Sequence, residues 1–159
     1  MKKILIAYFS ASGVTAGVAK NLAAAVGGEL FEIRPQTPYT AADLNWNNPK
    51  SRSSVEMNDK SFRPAVANWV ENMADYDTIF IGFPIWWYVA PTIINTFLEQ
   101  YDLRDKTIVP FATSGGSGMG AANEELQDSC RGALLKPGKR FAAGTGVPEL
   151  KLWAEELGI

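Results

Sequence analysis

The feature that most constrains the fold lies in the first 26 residues, where an apolar segment, a turn of small residues and an amphipathic helix follow one another. Residues 3–9 are almost continuously apolar, which is typical of a strand buried on both faces of a sheet. The helix is indicated by four apolar residues at a spacing of four, which share one face: Val14, Val18, Leu22 and Val26. The pattern predicts a buried strand joined by a tight turn to a helix N-terminus.

The turn itself, Ser10–Thr15, has the composition of an anion-binding site. The first N–H groups of a helix have no partner within it, and the helix dipole adds positive potential at that end. Ser10, Ser12 and Thr15 add hydroxyl groups, and Gly13 gives the turn conformational freedom. Because the turn holds no Lys or Arg, a phosphate would be bound there by dipoles and hydrogen bonds alone. The alternative is an ordinary turn in which Ser12 or Thr15 caps the helix.

Strands and helices alternate along the rest of the chain, without an internal repeat or a linker. The sequence predicts further strands at 29–33, 77–83, 107–113 and, more weakly, 140–143. It predicts helices at 14–26, 64–73, 91–101, 121–129 and 148–157. Five strands alternating with five helices indicate one α/β domain over residues 1–159, with a parallel sheet, helices on both faces and right-handed crossovers.

A long polar segment, 36–61, separates the second strand from the second helix and shows no sustained period. Segments of this length without regular structure are often functional or mobile in compact domains. The segment contains Tyr39, Trp46, Arg52 and Glu56. The alternative is a solvated insertion that is anchored by one or two aromatic side chains.

Composition argues against several classes of function. A net charge of −2 without a basic stripe disfavours nucleic-acid binding. The chain has no histidine, and Cys130 is its only cysteine, so we expect no His- or Cys-ligated metal site, no disulfide within the chain and no Ser–His or Cys–His nucleophile. No signal peptide opens the chain and no apolar run approaches the ~20 residues that span a bilayer, so we expect a cytoplasmic protein with no membrane span.

The loops after the first, third and fourth strands should meet in one crevice, because ligands of such folds bind beyond the carboxyl ends of the strands. The loop after the third strand begins at Pro84 and carries Trp86, Trp87 and Tyr88, which can stack on a planar ligand. The loop after the fourth strand lets a flat heterocycle approach its backbone closely, through Ser114, Gly115, Gly116 and Gly118. The alternatives are an aromatic anchor for the next helix and a flexible connection.

A phosphate site, an aromatic wall and a glycine-rich edge suit a ligand with a phosphate tail and a planar ring, which describes flavin mononucleotide (FMN). In these loops the chain resembles the flavodoxin-like family, and the resemblance covers essentially the whole chain in order. The matching segments are Ser10–Thr15, Pro84–Tyr88 and Phe111–Gly118. The resemblance implies a three-layer sandwich around a five-stranded parallel sheet of order 2-1-3-4-5, with FMN as the cofactor.

The resemblance also implies a role for each loop. Five residues would wrap the flavin phosphate: Ser10, Ser12, Gly13, Val14 and Thr15. Four would border the ring and the ribityl chain: Pro84, Trp86, Trp87 and Tyr88. Four would lie along the ring edge: Ser114, Gly115, Gly116 and Gly118. We expect no catalytic acid or base, because the flavin carries the chemistry.

The sequence is compatible with three functions. The first is an oxidoreductase that moves electrons or hydride between NAD(P)H and a small acceptor such as a quinone; a homodimer whose partner covers the flavin fits this hypothesis. It is favoured by the mild charge and by a segment whose Trp46 and Arg52, with Arg63, could cap the ring or bind a nucleotide. The second is a flavodoxin electron carrier that exchanges single electrons with a redox partner protein. The third is a non-catalytic FMN-binding module.

Overall fold

In the computed structural model, which describes residues 3–159, strands and helices alternate along the chain. The strands are β1 (Ile4–Tyr8), β2 (Glu29–Glu32), β3 (Thr78–Pro84), β4 (Thr107–Thr113), β5 (Leu134–Leu135) and β6 (Lys139–Phe141). The helices are α1 (Val14–Val26), α2 (Arg52–Met57), α3 (Thr92–Glu99), α4 (Ala122–Leu126) and α5 (Val147–Glu156). Short 3-10 turns cover Met73–Asp75 and Gln127–Cys130. Within this part of the chain, none of the helices has the length and apolar character that a bilayer crossing requires.

All strand pairings in the sheet are parallel, and the order is β2-β1-β3-β4-β5, with β6 also paired to β4. The predicted order 2-1-3-4-5 is therefore confirmed. Because β1 lies between β2 and β3, the direction in which the chain crosses the sheet reverses after β2. The loops that follow β1 and β3 therefore flank the crevice in which folds of this topology bind their ligands.

Two apolar clusters, one on each face of the sheet, hold the layers together. On one face, α1 and α5 pack on the strands through a cluster that includes Leu22, Phe80 and Trp153. On the other face, α3 packs through a cluster that includes Ile81 and Phe97. Since the central strands are covered on both sides, their sequences read as continuous apolar runs rather than as alternating patterns.

The predicted helix at 64–73 is wrong. The backbone there pairs with the chain after β2 instead: the N–H of Ala67 donates to the carbonyl oxygen of Arg34 at 2.7 Å, and the N–H of Gln36 donates to that of Ala65 at 2.9 Å. Trp69, which the helical spacing would bury, is 53% exposed. Tertiary hydrogen bonds therefore override a helical apolar spacing in this segment, which becomes helical only at the 3-10 turn Met73–Asp75.

The outer strand next to β4 is divided into two pieces, whereas the sequence predicts one strand at 140–143. Leu135 lies opposite Ile108 but Lys139 lies opposite Phe111, so three outer residues face two residues of β4, which is a bulge. Pro110 occupies that part of β4 and has no N–H to donate to the outer strand. The missing donor explains why the pairing breaks there and resumes one residue out of register.

Two further boundaries differ from the predictions. The helix expected at 121–129 consists of α4 followed by the 3-10 turn Gln127–Cys130. The 36–61 segment contains α2, which begins where the side chain of Ser51 accepts a hydrogen bond from the N–H of Ser54. The segment is therefore partly helical rather than wholly irregular.

Candidate functional site

The turn after β1 passes into α1 at Gly13, whose φ of 92° lies in the left-handed region that glycine tolerates. The Oγ atom of Ser10 accepts hydrogen bonds from the N–H groups of Gly13 (3.0 Å) and Ala16 (3.2 Å). Ser10 therefore supplies the side-chain contact to the start of the helix that the ordinary-turn alternative assigned to Ser12 or Thr15.

Between residues 11 and 15, four N–H groups have no hydrogen-bond acceptor among residues 3–159: those of Ala11, Ser12, Val14 and Thr15. They lie at the N-terminus of a 13-residue helix, whose dipole favours negative charge at that end. Val14 is 39% exposed, so the turn is accessible. The turn thus offers the backbone donors that a phosphate requires, and its geometry fits the predicted anion site.

Thr15 is the buried member of this turn, with 1% of its surface exposed. Its Oγ1 atom lies 2.7 Å from the Oγ1 atom of Thr113, at the end of β4. One hydroxyl donates and the other accepts, so each retains capacity for a further hydrogen bond. The pair joins the turn after β1 to the beginning of the loop after β4.

The loop after β3 is a tight hairpin turn. The N–H and C=O groups of Trp86 exchange hydrogen bonds with those of Val89, at 3.0 and 3.1 Å. Between them, Trp87 (φ 49°) and Tyr88 (φ 65°) both have positive φ, as in a type I′ turn. Aromatic residues rarely adopt this conformation, which costs roughly 1–3 kcal/mol per residue and is concentrated at functional sites.

The three aromatic residues of this hairpin differ in exposure and contacts. Trp86 is half-buried, and its ring packs edge-to-face against those of Phe9 (5.7 Å between centroids) and Tyr39 (5.5 Å). Trp87 is 43% exposed and Tyr88 is 69% exposed. Trp86 is therefore the inward anchor of the hairpin, while the other two side chains form part of the rim.

The loop after β4 is held in place by hydrogen bonds to Ser114. The Ser114 hydroxyl donates to the carbonyl oxygen of Ser117. Arg140, on β6, donates from Nε to the Ser114 hydroxyl at 3.0 Å and from Nη2 to the Ser114 carbonyl oxygen at 2.6 Å. Ser114 is thus engaged within the protein, and the sequence analysis missed the arginine that holds it.

The predicted glycines of this loop are not required by its backbone conformation. Gly115, Gly116 and Gly118 lie outside the left-handed region, and a Cβ atom at each would meet open space. The glycine that the structure requires is Gly120, with φ 53°, where a Cβ atom would lie 2.3 Å from the carbonyl oxygen of Tyr88. That close approach brings the loops after β3 and β4 together.

A buried carboxylate holds the 36–61 segment together beside the hairpin. Glu56, on α2, is 3% exposed and accepts hydrogen bonds from the Tyr39 hydroxyl and from Nε of Arg52 (2.9 Å). The Arg52 guanidinium carbon also lies 3.8 Å from the centre of the Tyr39 ring. Burial and the neighbouring Glu56 carboxylate raise the pKa of Tyr39 well above its usual 10. These contacts fix the ring against which Trp86 packs.

The turn, the hairpin and this segment enclose a cleft of about 610 Å³. Small-molecule sites commonly have volumes of ~300–1,000 Å³, so the cleft has the size of a cofactor site. Five predicted residues line it: Ser12, Pro84, Trp86, Trp87 and Tyr88. Its other lining residues are Ala11, Leu44, Trp46, Ser53, Ile85 and Ser117. Of these, Ser53 and Leu44 carry no sequence signal, because they enter the site only through the fold of the long segment.

The two arginines considered for nucleotide binding are engaged with carboxylates of the protein. Arg52 binds Glu56, as described above, and Arg63 contacts both carboxylate oxygens of Glu99, at 2.9 and 3.1 Å. The hydrogen bonds from Arg63 and Ser129 lower the pKa of Glu99. Arg52 therefore braces the 36–61 segment internally, and Arg63 attaches the chain that follows this segment to α3.

Comparison with known proteins places this geometry among flavoproteins. A family profile described as Flavodoxin matches residues 3–157. A protein from Bacteroides eggerthii assigned as a flavoprotein is 50% identical, with a TM-score of 0.94 over 100% of this chain and 99% of that chain. A flavoprotein from Lactobacillus acidophilus, solved in complex with FMN, is 24% identical, with a TM-score of 0.73 over 97% and 99%. Oxidised Flavodoxin 2 from Bacillus cereus is 19% identical, with a TM-score of 0.57 over 98% and 97%.

A search among curated protein sequences finds no match. The two more distant structures bear on the fold alone, whereas the family profile spans almost the whole chain. The resemblance inferred from the three loops is thereby confirmed: the chain belongs to the flavodoxin family.

Proposed function

We propose that this protein binds FMN in the cleft and acts as an oxidoreductase that moves electrons or hydride between NAD(P)H and a small acceptor such as a quinone. FMN as the cofactor is supported by membership in the flavodoxin family and by the donors of the turn after β1. The choice of an oxidoreductase rests on the form of the cleft.

The residues present fit such a cofactor. The unpartnered N–H groups of Ala11, Ser12, Val14 and Thr15 would bind the phosphate without a cationic side chain. Trp86, Trp87 and Tyr88 would border the planar ring, and the loop 114–118 would follow its edge. FMN supplies the redox chemistry when it is bound, and these side chains orient it, limit access of water and adjust its electronic properties.

The observation that carries the oxidoreductase proposal is the additional wall built by the 36–61 segment. Leu44, Trp46 and Ser53 from this segment line the same cleft as the hairpin. Trp46 is nevertheless 70% exposed, and so it presents a large aromatic surface beside the cleft mouth. An open cleft with this additional wall and an aromatic rim suits a small planar substrate, whereas electron transfer to a protein requires only an exposed ring edge.

The electron-carrier function is the second candidate, and a different observation favours it. Because Arg52 and Arg63 are bound to Glu56 and Glu99, neither offers its guanidinium group to a nucleotide phosphate in this arrangement. Trp87 and Tyr88 stand exposed at the cleft rim, where a protein partner could contact them. A carrier would need no nucleotide site.

The deciding experiment is anaerobic mixing of the FMN-loaded protein with NADPH and then with NADH, while the visible flavin spectrum is recorded. Rapid bleaching directly to the fully reduced spectrum would support the oxidoreductase. If neither nucleotide reduces the flavin and dithionite reduces it in one-electron steps, the oxidoreductase proposal is overturned in favour of the carrier. Failure of the protein to bind FMN would overturn both functions.

A further inference from the structure

The structure places one cation directly behind the loop that follows β4. We propose that Arg140 positions this loop and, by its charge, favours the reduced over the oxidised state of the bound cofactor. This inference rests on the proposed binding of FMN, and it names a residue that neither the sequence motifs nor the cleft lining identified.

The first observation is the contact itself. Arg140 binds the hydroxyl and the carbonyl oxygen of a single residue, Ser114, through two different nitrogens. The fixed fork of a guanidinium group allows this paired contact, which an ammonium group on a flexible stem reproduces poorly. The contact therefore fixes both the side chain and the backbone at the start of the loop.

The second observation is the chain of hydrogen bonds that continues into the cleft. The Ser114 hydroxyl accepts from Arg140 and donates to the carbonyl oxygen of Ser117. Ser117 is the residue of this loop that lines the cleft. Successive hydrogen bonds polarise one another, so the charge on Arg140 acts on the peptide that borders the cleft.

The third observation is that the charge is not neutralised locally. Within residues 3–159, no Asp or Glu carboxylate lies in ion-pair distance of the Arg140 guanidinium group. By contrast, Arg34, Arg52, Arg63 and Arg104 each pair with a carboxylate. Partly withdrawing a charge from water without a counter-charge is unfavourable. A neutral amide could donate hydrogen bonds to the same two oxygens, so hydrogen bonding alone does not account for a cation at this position.

The direction of the effect follows from electrostatics. Reduction adds negative charge to a flavin, and a nearby fixed cation stabilises the more negative state. Arg140 is only half-buried, so solvent screens it and the effect is modest. We expect its removal to lower the ratio of the affinities for reduced and oxidised FMN by about two- to fivefold, the scale of a partly exposed charge.

The test compares Arg140→Gln and Arg140→Lys with the wild-type holoprotein. The readouts are the midpoint potential of bound FMN, measured against a reference dye, and the Kd for FMN. For a two-electron couple, a two- to fivefold change corresponds to a shift of about 9–21 mV towards negative potential, which we expect for Arg140→Gln. Arg140→Lys keeps the charge, so its potential should remain close to that of the wild type even though the paired contact is lost.

Controls separate the charge from the structural contact. Arg104→Gln removes one positive charge on an exposed residue that is paired with Asp102, and it should leave the potential unchanged. Equal shifts in Arg140→Gln and Arg140→Lys would mean that Arg140 acts only as a brace and would overturn the inference. An unchanged potential in Arg140→Gln with FMN retained would overturn it as well, and would leave the proposed function intact. Absence of FMN binding by the wild type would instead refute the proposed function.

Discussion

The two ends of the cleft are built in different ways. The turn end is one continuous stretch, Ser10–Thr15, whose donors are backbone N–H groups held between β1 and α1. The aromatic end brings together the hairpin 86–89, the loop 114–118 and the 36–61 segment, which are distant in sequence. Its parts are joined by side-chain packing and by hydrogen bonds between loops, such as that from the Ala121 N–H to the Tyr88 carbonyl oxygen (3.0 Å).

This difference shows what each end can tolerate. A site made of backbone donors on a buried strand and helix depends little on any single side chain, because most substitutions leave the donors in place. A site assembled from separate loops depends on the few contacts that connect them. We therefore expect substitutions that break the contacts between loops at the aromatic end to affect both folding and binding, and substitutions at the turn end to affect binding through the recognition of phosphate.

The largest effect is expected for Gly120→Ala, which separates the two loops of the aromatic end. The new Cβ atom would lie 2.3 Å from the Tyr88 carbonyl oxygen, and the residue would be held at a positive φ. We expect the free energy of unfolding of the apoprotein to fall by about 2–4 kcal/mol, measured by urea denaturation.

Gly116→Ala is the matched comparison, because a Cβ atom at Gly116 meets open space. This variant should preserve the stability of the apoprotein. It should nevertheless lower the affinity for FMN, because the ring edge approaches this loop in the proposed arrangement. Loss of stability in Gly116→Ala as large as that in Gly120→Ala would contradict the assignment of Gly120 as the required glycine.

An intermediate effect is expected for Thr15→Ala at the turn end. Removing this hydroxyl leaves the buried Thr113 hydroxyl without its partner, at a cost of about 1–3 kcal/mol in stability. If Thr15 also contacts the phosphate, the variant should bind FMN more weakly while its affinity for riboflavin, which has no phosphate, is retained. Titration of the apoprotein with each flavin, followed by fluorescence, gives both affinities.

Two comparisons make this result specific. Thr113→Val breaks the same hydroxyl pair and should cost similar stability with less loss of FMN affinity. Trp86→Ala, at the aromatic end, should lower the affinity for FMN and the affinity for riboflavin to a similar extent. If Thr15→Ala lowers the affinities for FMN and riboflavin equally, Thr15 does not bind the phosphate.

The smallest effect is expected for Tyr39→Phe, which keeps the ring but removes the hydroxyl that donates to Glu56. The variant should lose about 1 kcal/mol of stability at neutral pH. Because the folded pKa of Tyr39 is raised above 10, its contribution is complete below pH 10 and is lost as the pH rises further. Chemical denaturation between pH 8 and pH 11 should show a shallower decline for Tyr39→Phe than for the wild type, and parallel curves would contradict this linkage.

The sequence predicts the turn end well, because its signal is local. Strand, small residues and helix follow one another within 26 residues, and the structure keeps that order. The apolar central strands are equally clear, since burial on both faces leaves few polar residues in them. The order of the strands comes from the resemblance to a family rather than from any pattern within the chain.

The sequence locates the aromatic end but does not show how its side chains are arranged. Adjacent aromatic residues mark the hairpin, yet only the tertiary contact with Phe9 and Tyr39 shows that Trp86 is the one turned inward. Glu56 looks like an ordinary polar helix residue until the fold buries it. The failed helix at 64–73 has the same origin, because the N–H group of Ala67 and the carbonyl oxygen of Ala65 pair with chain that lies about 30 residues earlier.

The divided outer strand has a consequence for self-association. An uninterrupted edge strand exposes a row of unpaired backbone groups onto which a second chain can add, and this leads to aggregation. Here one edge is interrupted after two residues by the bulge that Pro110 imposes, and the opposite edge is the four-residue β2, which carries Glu29 and Glu32. The sheet therefore offers neither edge as a long template, and a proline in the middle of β4 shortens the stretch of outer strand onto which a second chain could add.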